Sequence, residues 1–237
     1  MRTRMPRRHA RGGVVVGDDL DDASRNRDGA AGRRLRAGGG YVGEIKVRNA
    51  DEFISMASAA GAPDGVDRGV YVAGANYKTG DLSIGAANYC SDDIINIFYS
   101  EMKIALPLSD TVRLQLALQY SDQGSIGDNL LRGAEFSSHQ WGGKVELGVG
   151  GALFSAAYTN AGGDTDMQQP WSSFPGYTSV QVEKFNRDGE QAYMLRGAYK
   201  FRSVNGLSAY GLWVNGSTPD AAGQYARDEY DFNIPAF

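Results

Sequence analysis

The sequence predicts an all-β fold, a transmembrane antiparallel up-and-down β-barrel with about ten strands in this chain. Three observations predict it. From Tyr41 onward, apolar and polar side chains alternate with a period of two, which gives a strand two chemically different faces. Clusters of Gly, Asn, Asp and Ser interrupt the alternation at roughly regular intervals, as turns do. Aromatic residues fall toward the expected strand ends (Tyr41, Tyr71, Tyr77, Tyr89, Tyr120, Tyr158, Tyr199, Phe201, Trp213), where membrane interfaces collect them.

The first predicted strand, Tyr41–Asn49, sets Tyr41, Ile45 and Val47 against Glu44, Lys46 and Arg48. Gly69–Lys78 and Asp81–Cys90 follow. Next, Phe98, Met102, Ile104 and Leu106 share a side with Ser100 and oppose Tyr99, Glu101 and Lys103. Thr111–Ser121 is the clearest element. Val112, Leu114, Leu116, Leu118 and Tyr120 form one face, while Thr111, Arg113, Gln115, Gln119 and Ser121 dominate the other. With Leu108–Asp110 as the turn, these two strands make a hairpin with one apolar and one charged face. Trp141–Leu147 opposes Trp141, Val145 and Leu147 to Lys144 and Glu146. Ala152–Asn160 comes next. In Gln191–Arg202, Tyr193, Leu195, Tyr199 and Phe201 oppose Arg196 and Lys200. Leu207–Gly216 and a partial strand near Asp228–Ile234 complete the set.

The links alternate in length. Thr79-Gly80, Leu108–Asp110, Gly148–Gly151 and Ser203–Gly206 are short, whereas 50–68, 122–135 and 161–189 are long; the tight link Ser91–Asp93 breaks the rhythm. In outer-membrane barrels, short links are periplasmic turns and long ones are extracellular loops. A soluble β-sandwich also alternates. Aromatics at strand ends, together with charges of both signs at mid-strand on the polar face, favour a barrel around a water-filled lumen. No apolar run approaches the roughly 18 residues of a membrane-spanning helix, a fact that leaves barrels untouched.

Residues 1–40 differ in kind. They hold ten Arg, no Lys and five Asp, a net of +5, whereas residues 41–237 hold 14 basic and 23 acidic residues, a net of −9. Their longest apolar run, Val14–Val16, is too short for the core of a signal peptide. The expectation is therefore two segments: 1–40, disordered or non-native (an upstream start read in the wrong frame), and 41–237, a partial barrel. A basic arm for nucleic acid or anionic lipid is the weaker reading of the first segment.

Specific words sharpen the assignment. Ser91-Asp92-Asp93-Ile94-Ile95-Asn96-Ile97-Phe98-Tyr99-Ser100-Glu101 resembles a signature segment of the OprD family of substrate-specific porins. Val47–Asp51 is similar to that family's strand-ending element. Pro175-Gly176-Tyr177-Thr178-Ser179, followed by Phe185-Asn186-Arg187-Asp188-Gly189-Glu190, is similar to one of its loops, and Gly206-Leu207-Ser208 resembles the start of a late strand. The resemblance covers roughly 41–233. It implies a larger barrel of about 18 strands, of which this chain would supply barely half. The chain departs from the family at Cys90, where an aromatic is expected, and at Leu212, where a lumen Arg is common.

The resemblance implies an outer-membrane protein of Gram-negative bacteria. Its expected function is passive, selective uptake of small carboxylate-bearing solutes such as amino acids or aromatic acids, with lumen Arg and Lys as guides. By face, the lumen candidates are Lys46, Arg48, Lys103, Lys144, Arg113, Arg196 and Lys200, with Glu44, Glu101 and Glu146 opposing them. Arg113 and Arg196 lead, being basic, mid-strand and without an acidic residue two positions away. The plainer reading is that such charges pair across strands and stiffen the wall. In the long loop, Arg187 and Asp188 either help fold the loop into the pore or cap a turn; Asp188-Gly189 reads as a turn.

No cofactor or metal is expected: Cys90 is the single cysteine, and His9 and His139 are the only histidines. Ser138 and His139 are adjacent and face opposite sides of a strand, so an enzyme is not expected. Expected partners are the solutes and outer-membrane lipid, not nucleic acid, with a monomer or weak homotrimer at full length. Two alternatives stay open: a structural or adhesion barrel, and a truncated fragment that forms no working channel.

Overall fold

The computed structural model describes residues 33–46, 51–171, 175–204, 206–219 and 224–234. In chain order the elements are β1 (Arg34–Val42), β2 (Glu44–Ile45), β3 (Ile54–Ser55), α1 (Met56–Ala60), β4 (Val70–Thr79), β5 (Leu82–Ser91), β6 (Ile95–Pro107), β7 (Val112–Gly124), β8 (Ser137–Val149), β9 (Ala152–Gly163), β10 (Gln191–Lys200), β11 (Ser208–Ser217) and β12 (Arg227–Asn233). Ten of them form one sheet in the order β1-β4-β5-β6-β7-β8-β9-β10-β11-β12, every neighbour antiparallel. That is an up-and-down meander. The sheet is open, with β1 and β12 at its edges.

Because paired residues share a face, the register carries each side chain's direction across the whole sheet. Met102, Leu118, Tyr158 and Tyr193 belong to one face. It is an apolar belt, with Leu116, Leu118, Val145, Phe154 and Leu195 all exposed to the surroundings. Toward the long-loop end an aromatic row closes the belt. The Trp141 and Tyr158 rings lie 5.3 Å apart and those of Tyr158 and Tyr193 4.8 Å apart, while Tyr199 and Phe201 pack edge-to-face at the other end. An apolar band between two aromatic girdles is the outer surface of a membrane barrel. The opposite face holds Glu101, Gln119, Gln140, Lys144, Thr159 and Arg196 and is the inner one.

The links follow the same logic. Gly80-Asp81, Leu108–Thr111, Gly150-Gly151 and Phe201–Leu207 connect strands at one end; 43–69, 125–136, 164–190 and 218–226 connect them at the other. The tight turn Asp92–Ile94 lies at the long-loop end and breaks the rhythm, as the sequence indicates.

The first strand is the main correction. It runs from Arg34 to Val42 rather than from Tyr41 to Asn49, so a wall strand begins inside the segment expected to be disordered or non-native. Its pattern was hidden because Gly38, Gly39 and Gly40 contribute no side chains to alternate. A Cβ on Gly39 would lie 3.0 Å from the Val72 carbonyl oxygen, tighter than ordinary van der Waals contact. Beyond Val42 the chain leaves the wall. Glu44–Ile45 pairs with Ile54–Ser55 in a separate two-stranded ribbon, followed by α1, which Ser55 caps.

Candidate functional site

Successive rows of the register define the inner face. One row reads Arg34, Lys78, Ser83, Lys103, Ala117, Lys144, Ala157, Met194, Val214, Glu229. The row beside it, toward the short turns, reads Ala105, Gln115, Glu146, Ser155, Arg196, Leu212, Asp231. The next contains Arg113, and Lys200 lies at the short-turn end of β10. Basic groups thus recur at successive heights.

They divide into two groups. Lys103 and Lys144 are neutralised: Lys103 Nζ is 2.8 Å from Glu101 Oε2, and Lys144 Nζ is 3.3 Å from Glu146 Oε2. Glu146 also accepts hydrogen bonds from Gln115 (3.0 Å) and Ser155 (3.2 Å). These four charges pair along their own strands, β6 and β8, rather than across strands; the bonds of Glu146 to Gln115 and Ser155 are the cross-strand contacts. Arg113, Arg196 and Lys200, by contrast, make no salt bridge among the described residues. Arg113 and Lys200 are exposed. The Arg196 guanidinium lies 4.9 Å over the Tyr210 ring, whose hydroxyl donates to Asp231 at 2.8 Å. A ring beneath a guanidinium orients it without satisfying its in-plane donors.

Above these residues the connection between β9 and β10 folds onto the inner face as a strap. Tyr177 reaches β6, where its hydroxyl donates to Glu101 at 2.7 Å, and its ring covers Lys144 at 5.0 Å. Burial and the Glu101 carboxylate push the Tyr177 phenol well above the ordinary tyrosine range, so it stays protonated and remains a donor. Thr178 bonds Thr159 at 2.6 Å, Gln140 donates to the Phe185 carbonyl at 3.2 Å, and Gln123 bonds Gln168 in both directions. Gln119, with its amide oriented to satisfy both partners, donates to Pro175 O and accepts from Tyr177 N. Phe185 is wholly buried in a cluster with Ala157, Ala192, Met194 and Val214. The wall here is made of small residues, and a Cβ on Gly216 would run into the Phe185 ring and Glu190 Oε1.

The expected loop residues separate. Arg187 belongs to the strap's internal bonding and pairs with the fully buried Glu190 at 2.8 Å. Asp188 takes the turn role: its N–H donates to Asp166 Oδ1, and Gly189 follows at φ 71°. Glu44 and Lys46 do not stand on a wall strand as expected. Both are exposed in the crossover segment, off the barrel wall, because the chain leaves the sheet after Val42. Arg48 lies outside the described residues.

Several inner-face residues were missed. Lys78 shares parity with Val72 and Asn76, and Arg227, Glu229 and Asp231 alternate with Asp228, Tyr230 and Phe232, so period-two counting could have found them. Arg34 and Arg36 were hidden by the glycines after them. Nothing local in the sequence pairs Glu190 with Arg227.

The family model for outer membrane porins of the OprD family matches residues 33–234. No curated protein matches the chain. Among solved structures, OccK9 (OpdG) of Pseudomonas aeruginosa aligns with a TM-score of 0.74 at 21% identity, over 84% of this chain and 52% of that one. OccAB3 of Acinetobacter baumannii gives 0.73 at 18% identity, over 84% and 53%. OpdK of P. aeruginosa with vanillate gives 0.71 at 20%, over 84% and 54%. The chain spans about half the length of these porins.

Proposed function

Since the chain belongs to the OprD family of outer membrane porins, we propose that it forms part of the wall of a channel for passive, selective uptake of small carboxylate-bearing solutes, amino acids or aromatic acids. The family places it in the outer membrane, and its apolar belt faces the lipid there. The observation that carries the proposal is the division of charge on the inner face. Glu101 and Glu146 are held by lysines and hydrogen bonds, while Arg113, Arg196 and Lys200 make no salt bridge among the described residues.

A carboxylate entering a narrow lumen loses water and needs replacement hydrogen bonds. Cationic groups at successive heights supply them stepwise. Each contact stays weak enough to release the solute to the next, as conduction requires. Arg196, steadied on Tyr210, presents a planar guanidinium that suits a planar carboxylate. The solved relative OpdK was crystallised with vanillate, which supports an aromatic acid as one solute.

The apolar packing of the strap raises the question of a plugged, purely structural barrel. It fills the inner face along β9–β11, yet the charged Arg113 and Lys200 lie on the same face nearer the short turns, clear of that cluster, and charged groups there favour a pore.

The test is reversal potential across a planar bilayer holding the channel, with benzoate against a large cation. Neutralising Arg113, Arg196 and Lys200 together to Gln is expected to lower the benzoate-to-cation permeability ratio roughly tenfold, the scale of a lost charge contact of about 1.4 kcal/mol. An unchanged ratio contradicts the proposal.

A further inference from the structure

A loop that enters a lumen is placed only as well as it is attached. On the β6–β9 side the strap is held through Tyr177, Thr178 and the Phe185 carbonyl. Its return arm, residues 182–190, is also gripped by the charged side chains of one distant strand. From β12, Arg227 donates Nε and Nη2 to Glu190 at 3.2, 2.9 and 2.7 Å, pairs with Glu183, and lays its guanidinium 5.3 Å over the Phe185 ring. Two positions on and on the same face, Glu229 accepts the backbone N–H groups of Val182 at 3.1 Å and Glu183 at 2.6 Å. Strap and wall are thus joined by a guanidinium from the wall to two strap carboxylates, and by a wall carboxylate to the strap backbone.

Three features show how tightly this junction is determined. Glu190 is fully buried between Arg187 and Arg227, and a buried carboxylate is tolerated only when paired and hydrogen-bonded. Phe185 holds φ 49°, a left-handed conformation that a bulky residue keeps only where its surroundings over-determine it. Gly216, paired with Arg227 across β11 and β12, leaves the space that the Phe185 ring and Glu190 occupy.

We propose that Arg227 and Glu229 are positioning residues: a clamp on β12 that fixes how far the strap reaches into the lumen and so sets the aperture for solutes. The proposal rests on the pore reading above, and it adds the residues that set size selection. They touch no solute and act through the strap. Lys184, on the clamped arm beside Phe185, reports on its position.

The test uses the channel purified from outer membranes, in two variants. R227M combined with E190Q removes the buried charge and its partner together; E229A removes the backbone acceptor. Trypsin cleavage after Lys184 and single-channel conductance in KCl are measured, with heat-modifiable gel mobility as the folding control. Cleavage is expected to accelerate about tenfold or more, as the released arm samples open states. Conductance is expected to rise about twofold as the constriction widens. R227K, which keeps a charged contact but not the two-pronged one, falls between wild type and R227M/E190Q in both readouts. If one variant fails to fold, the other decides. Unchanged cleavage overturns the clamp, and faster cleavage at unchanged conductance overturns its link to aperture. Neither readout involves carboxylate preference, so loss of that preference in the wild-type channel defeats the transport reading alone.

Discussion

Asp93 shows how much one residue organises at the long-loop end. It sits at φ 63° in the tight β5–β6 turn. Its carboxylate accepts from Arg68 Nε and Nη2 at 3.2 and 2.9 Å and from the Asp128 N–H at 3.3 Å, while its carbonyl accepts from Leu130 N at 2.7 Å. Three loops meet there, and Ile94 and Ile95, both fully buried, pack with Ala57 and Phe136 beneath. Arg68 and the Asp128 N–H hold the Asp93 carboxyl below the usual carboxylate range. A depressed folded-state pKa contributes stability above the unfolded pKa and loses it as pH falls through the folded one. The protection factors of the Asp128 and Leu130 amides are therefore expected to hold from neutral pH down to about 4, near the unfolded aspartate pKa, and to fall below it. Asp93→Asn is expected to bring that loosening to neutral pH, and equal protection in wild type and variant would contradict the assignment. The sequence marks Ser91–Glu101 as a family word without saying what it does. Its first residues bind loops to one another, and Glu101 reaches the strap through Tyr177; only the register separates those roles.

At the scale of elements, the strap and the wall behind it are matched in shape. Ser121, Gly142, Ala157, Thr159, Ala161, Ala192 and Gly216 line the inner face where the strap lies, and larger residues there would exclude it. Gly216→Ala is expected to destabilise the folded barrel by about 1–3 kcal/mol, the usual range for an overpacked core site, and to expose the bond after Lys184 to trypsin. Urea unfolding in detergent measures the first effect and digestion the second; a silent Gly216→Ala would mean that the strap does not press on β11. Strands β6–β10 were legible because Leu, Ile, Val and aromatic residues alternate there with charges. β1 was not, since glycines erase a pattern that exists only in side chains. The strap's path was also hidden: Tyr177 and Glu101 are 76 residues apart, and no local periodicity encodes their contact. Arg113 and Arg196 lack an acidic residue two positions away on their own strands, and the register sets Pro107 and Gly148 opposite Arg113 and Ser155 and Leu212 opposite Arg196. The same test on Lys103 and Lys144 correctly finds Glu101 and Glu146 two positions away.

For the whole molecule, the ten-strand sheet turns one face to lipid and one to a lumen, and its edges at β1 and β12 need partners in hydrocarbon, where unpaired backbone groups cost several kcal/mol each. Everything proposed about solutes depends on that two-sidedness. It is tested most directly along β10, on a background with Cys90, the single cysteine, changed to Ser. Positions 195 to 199 are replaced one at a time by Cys in the channel in intact outer membranes, then treated with a charged, water-soluble thiol reagent. Cys at Arg196 and Ala198 is expected to react, and the Arg196 site to be slowed by benzoate in the bath. Cys at Leu195, Gly197 and Tyr199 is expected to stay protected by lipid. Equal reactivity along the strand, or reaction on the 195–197–199 face, would contradict the account.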